Sequence, residues 1–252
     1  MTRKLKEEDF EVLRGPFESG RQSPGALSGA LILSIFLQGL LFALEYFMAG
    51  SYTVYPYKDQ ILLIHFIGTV ILSVLSLIYS MPIVYTKSEK TQYFLSILVS
   101  QNLFSISFLI CALFIIGYAG EEKVADAGSL LQFTYIILGI GLIIFVVTFI
   151  RFFILLKKGH YRKGTKKDAL RSRFETTSYV PTTIIGSLGL IFIIQYIVRT
   201  SAINELDKII FIVIGIGLFF VMLFILPEQL VILYCKIRFK SFNFNERGYL
   251  NK

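Results

Sequence analysis

Four ionisable residues fall inside or at the edge of long apolar stretches, and they are where this chain could do chemistry: Glu45, His65, Arg151 and Glu228. A charge at mid-helix in lipid costs about 2.5–3.5 kcal/mol on the insertion scale, so each is a functional candidate. Glu45 lies five residues before Gly50, and His65 lies seven after Lys58. Both positions fall near the outer face, on neighbouring spans. A carboxylate beside an imidazole can relay protons; anchoring at the interface is the plainer use. Arg151 lies six residues before Lys157, and Glu228 eight before Lys236. Their spans run in the same direction, so the two charges reach similar depth and an Arg151–Glu228 ion pair is geometrically open. Pro227, beside Glu228, would kink that helix and free a carbonyl. The bland alternative has Arg151 snorkelling to the inner interface and Glu228 facing a wet groove. Gln101 and Asn102, with Ser105 and Ser107, make the third span most polar in its inner half. Interhelical hydrogen bonds, below about 2 kcal/mol each, are one reading. The lining of a substrate path is the other.

Other chemistry does not assemble. The two histidines, His65 and His160, fall on opposite sides, so no paired motif for a metalloprotease forms. Cys111 lies within the third span and Cys235 at the inner end of the sixth, and these depths argue against a disulfide. Two unpaired thiols give no metal site. No phosphate loop is present, so any ATP would be hydrolysed by a partner. The expectation is a protein that is not an enzyme and has no cofactor and no metal.

The elements that must hold these residues are six apolar windows. The chain has 252 residues, 55% hydrophobic and 17% charged, with mean hydropathy +0.68. A soluble domain carries about 25% charge. Because the excess apolar residues are clustered, a soluble globule, a disordered chain and a disulfide scaffold are all excluded. About 20 apolar residues span the hydrocarbon core, and windows of that size predict helices over about 25–50, 60–85, 92–119, 128–156, 178–199 and 208–235. Lipid forces backbone groups to pair within each segment. The alternating ten-residue segments of a membrane barrel are missing. The expected fold is therefore all-α, a polytopic integral membrane protein with six transmembrane helices.

Charge sets the orientation. The N-terminal tail holds Arg3, Lys4, Lys6, Arg14 and Arg21, and the second connection holds Lys87 and Lys90. The fourth region holds Arg151, Lys157, Lys158, Arg162, Lys163, Lys166, Lys167, Arg171 and Arg173, and five more basic residues follow from Lys236 to Lys252. The alternate connections hold only Lys58, Lys123, Arg199 and Lys208, beside six acids. Basic residues mark the cytoplasmic side, so both termini are expected there. The net charge of +8 is thus a topology signal, and no nucleic-acid partner is implied. The first span follows a mixed-charge tail and is long enough to be kept as a span.

The expected domains are a cytoplasmic tail over 1–24, a six-helix domain over 25–235 and a cytoplasmic tail over 236–252. The basic loop 157–177 is the largest connection. Anionic headgroups on the cytoplasmic side would attract it by about 1 kcal/mol per basic residue near the surface. It either serves only as the positive-inside signal or docks a cytosolic or membrane partner. In the N-terminal tail, Phe10, Leu13 and Phe17 fall at helical spacing, with Leu5 and Val12 nearby. Either a short interfacial amphipathic helix or an unstructured tail fits. Residues 136–142 (IILGIGL) and 212–218 (IVIGIGL) match. Repeated hairpins would explain the match; close helix packing at small residues is the plainer cause.

Six helices with cytoplasmic termini resemble the permease subunits of ABC-type exporters, and the segment Ser88–Ser100 looks like the acidic coupling segment of that family. The chain departs from the pattern in its short link between the last two helices and its long basic loop. The resemblance implies an ATPase subunit as partner; an accessory role would instead pair the chain with a secretion component. The expected function is a non-enzymatic subunit of an export system in a bacterial cell inner membrane, either permease-like or accessory. The alternative is an immunity protein that binds a pore-forming or membrane-active toxin.

Overall fold

Ser23 and Pro24 start the first membrane helix. The Ser23 hydroxyl accepts the Ala26 N–H at 3.3 Å, and Pro24 occupies the first helical position, where its missing N–H is not needed. The computed structural model describes residues 5–118, 126–170, 206–245 and 248–251. Among them, five helices are long and apolar enough to cross a membrane. These are α1 (Pro24–Ala49), α2 (Lys58–Tyr79), α3 (Glu89–Ile116), α4 (Ala127–Lys157) and α5 (Leu206–Arg238). They correspond to the first, second, third, fourth and sixth apolar windows. The fifth window, 178–199, lies outside the described residues, as do Arg171 and Arg173. No strand forms among the described residues; two isolated bridges, Thr53–Tyr118 and Phe244–Leu250, tie loops together.

The outward faces suit lipid. Phe36 is 73% exposed and Ile64 71%, and water would not tolerate such apolar faces along whole helices. Inside the bundle, α3 packs against α1, α2 and α5, and α5 also packs along α4. Helices α3 and α5 are antiparallel: Gly215 lies against Phe108 and Ala112, and the Gln101 side chain reaches the Met222 carbonyl at 3.3 Å. Helices α4 and α5 are parallel, with Gly141 against Phe219 and Leu223, and Phe152 and Leu156 clustered with Ile232 and Cys235.

The two Gly-x-Gly pairs use different members. A Cβ on Gly215 would come within 2.7 Å of the Phe108 carbonyl oxygen, and one on Gly141 within 2.8 Å of Leu223 and Phe219, whereas Gly139 and Gly217 face open space. The contact glycine is the second of one motif and the first of the other, so the matched strings occupy inequivalent faces. Gly215→Ala should therefore destabilise the bundle by about 1–3 kcal/mol through forced separation of α3 and α5. Gly217→Ala should be neutral. Detergent-solubilised thermal unfolding of the two variants, side by side, checks this.

The chain ends build a cap at one end of the bundle. A 3-10 helix, Glu7–Arg14, and a helical turn, Gly15–Glu18, bring Phe10, Leu13 and Phe17 to full burial against Tyr93, Ile97, Phe152, Leu156, Tyr161, Ile232 and Phe242. The apolar face of the N-terminal tail thus packs on protein. Asp9 accepts from Arg162 at 2.8 Å, and the Val12 N–H donates to the Tyr161 carbonyl at 2.9 Å. These contacts fold the start of the basic loop onto the tail. Cys111 and Cys235 are free thiols.

Candidate functional site

The Glu45 and His65 side chains meet, as their depth and neighbouring spans suggest. Both are buried, and His65 Nδ1 lies 2.9 Å from Glu45 Oε1, with hydrogen-bond geometry, and 2.8 Å from Oε2. On its other side, His65 Nε2 is 3.2 Å from Asn102 Oδ1. Asn102 Nδ2 donates to Gln38 Oε1 at 3.1 Å and to Thr69 Oγ1 at 3.2 Å. With its amide nitrogen committed to two acceptors, Asn102 must turn its oxygen to the imidazole. The network therefore joins three helices: Gln38 and Glu45 from α1, His65 and Thr69 from α2, and Asn102 and Ser107 from α3.

Local backbone geometry aims these groups. Both α1 and α3 contain a π-helical turn, Glu45–Ala49 in one and Asn102–Ile106 in the other. Each π-turn begins at a network residue. Wider i-to-i+5 turns are rare and frequent at functional sites. In α3 the turn lets the Ser107 hydroxyl donate to the Asn102 carbonyl at 2.9 Å, five residues back. The same hydroxyl lies 3.4 Å from His65 Nε2.

This arrangement can serve the ring in either protonation state. A doubly protonated imidazolium donates from Nδ1 to the Glu45 carboxylate and from Nε2 to Asn102 Oδ1. A neutral ring keeps its proton at Nε2, on the Asn102 oxygen, and accepts at Nδ1 from a protonated Glu45 carboxyl. The chemistry available is proton exchange between Nδ1 and a carboxylate, within a low-dielectric pocket that strengthens the pair. Phe42 stacks obliquely on the His65 ring with centroids 5.9 Å apart. It also lines a groove between α1 and α2 whose walls are apolar apart from Asp59.

Of the other sequence-derived candidates, Gln101 points away from the network and holds α5 through the Met222 carbonyl. Arg151 and Glu228 line one pocket of about 310 Å³ with Thr148, Tyr161 and Lys167. In the basic loop, Arg162 is tied to Asp9, and Lys167 stacks 3.9 Å above the Tyr161 ring. Lys157, Lys158, Lys163 and Lys166 are exposed.

A second buried ion pair was not foreseen. Lys236 is 2% exposed and donates to the Phe242 carbonyl at 3.0 Å and to Glu89 Oε2 at 3.5 Å. Its ammonium sits 4.7 Å from the Phe17 ring centroid and 5.8 Å from that of Tyr93, within cation–π reach. Glu89 also accepts the Phe244 N–H at 3.1 Å. This pair joins the start of α3 to both chain ends, so Glu89, part of the segment likened to a coupling element, is engaged inside the cap. Gln38 and Thr69 were also missed, although spacing carries a signal for them. Gln38 is seven residues before Glu45 and Thr69 four after His65, which puts each pair on one helical face. Comparisons with protein-family models, curated proteins and solved structures return no match to this chain.

Proposed function

We propose that this chain is a non-enzymatic subunit of a bacterial export system, permease-like or accessory, which works through a protein partner docked on its basic cytoplasmic face. The observation that carries this reading is the folded cap. The basic connection after α4 is clamped by Arg162 to Asp9 and by the Tyr161 carbonyl to Val12. Its exposed lysines are thereby held on a pre-organised surface, which lowers the ordering cost of docking, and like charges on one face steer an acidic partner.

The proposed topology is six spans with both termini cytoplasmic. Helices α4 and α5 are parallel and both end at the cap. The connection from Lys157 to Leu206 must therefore pass from one face to the other, which supports a further crossing. The strong basic bias of the cap end supports a cytoplasmic assignment.

Affinity purification from native membranes tests the proposal. The unaltered protein should retain an ATPase subunit or a secretion component. The variant Lys158→Glu/Lys163→Glu/Lys166→Glu should lose it at least tenfold at unchanged protein level. Retention of the partner by that variant, or a secreted toxin as the specific partner, would overturn the reading; the toxin would favour the immunity role.

A further inference from the structure

A groove of about 760 Å³ runs between the ends of α4 and α5 and reaches the N-terminal segment. Its walls are apolar: Phe149 and Phe153 from α4, Leu230 and Val231 from α5, and Phe10 from the cap. Two cations, Lys157 and Arg238, close the cap end, and among the described residues no carboxylate lines the groove. Each cation is the last residue of its helix, so both sit at the level where a bilayer changes from acyl chain to headgroup. We propose that this groove is a binding site for an anionic glycerophospholipid, with an acyl chain between α4 and α5 and its phosphate between Lys157 and Arg238.

The side chains around the cations suit that ligand. Lys157 Nζ lies 4.5 Å from the Phe153 ring centroid. The Arg238 guanidinium stacks 5.6 Å from the Tyr234 ring and 5.2 Å from that of Phe239, and it donates to the Tyr234 hydroxyl. Aromatic contacts place the positive charges without neutralising them, and a guanidinium keeps further N–H donors for a phosphate. A zwitterionic headgroup would bring its own cation into the same positive end, which disfavours it. Basic pockets between membrane helices bind anionic headgroups in this way. The inference is independent of the partner proposed above.

Native mass spectrometry of the detergent-purified protein, titrated with phosphatidylglycerol or with phosphatidylcholine of identical chains, tests it. One phosphatidylglycerol should bind preferentially. Lys157→Gln or Arg238→Gln should each weaken that binding roughly fivefold, and the double variant about thirtyfold. Lys240→Gln, exposed and outside the groove, should not change it. Val231→Trp should block the acyl chain with both cations intact, and glycerol phosphate alone should not compete. Equal binding of phosphatidylcholine, full retention by the double variant, or competition by glycerol phosphate would overturn the proposal.

Discussion

His65→Leu should lower the unfolding free energy of the bundle by about 3–5 kcal/mol. The substitution strands the Glu45 carboxylate in a buried site, and breaking one side of a buried pair costs that much. Asn102 Oδ1 loses its imidazole contact in the same step, which adds to the loss. Glu45→Leu should cost a similar amount. The double variant should recover most of either single loss, since two apolar side chains of similar volume replace the pair with little penalty. Unfolding in mixed detergent micelles, run as a double-mutant cycle, measures the coupling. A coupling below about 0.5 kcal/mol, the scatter expected of independent sites, would show that Glu45 and His65 do not act as a pair.

The second large effect is at the cap. Lys236→Met should release both chain ends, because it removes the donor that holds the Phe242 carbonyl and the Glu89 carboxylate together. The cost is about 1–3 kcal/mol, because the Phe242 carbonyl loses its side-chain donor while the half-buried Glu89 keeps the Phe244 N–H. It should appear locally, as faster hydrogen exchange over residues 7–18 and 240–245, with α1 and α2 unchanged. Adding Glu89→Gln should restore part of the protection. Lys240→Met, at an exposed position of the same tail, should leave exchange as it was. Uniform loss across all helices would mean that Lys236 supports the whole bundle rather than the cap.

Much of the helical framework was readable because lipid leaves few choices. Apolar windows place α1, α3 and α4 within about three residues of their observed bounds, whereas α2 ends six residues early, at Tyr79, because Met81 is extended ahead of Pro82. The last helix runs further than expected, to Arg238, because Lys236 is buried among aromatic rings instead of snorkelling outward. Counting from the flanking charges brought Glu45 and His65 together correctly. The same counting separated them from Asn102, which was assigned to the inner half. Thirteen residues of α3 precede Asn102, about 20 Å of helix, so it reaches the depth of His65. The π-turns that open at Glu45 and Asn102 carry no composition signal. The Lys236–Glu89 pair spans 147 residues of sequence, and no local pattern announces such a contact. The N-terminal face of Phe10, Leu13 and Phe17 was visible as a stripe, but its partner was not. Spacing reports that a face is apolar, and only the tertiary fold decides whether lipid or protein covers it.

The account stands on a membrane bundle whose chain ends and basic loop share one face, with the start of α5 on the other. Single cysteines at Lys166→Cys and Asp207→Cys, both exposed, in a Cys111→Ser/Cys235→Ser background, test it most directly. A membrane-impermeant maleimide applied to intact cells should label position 207 and spare 166; applied to inverted vesicles it should label 166 and spare 207. Labelling of both positions from the same side would contradict the account.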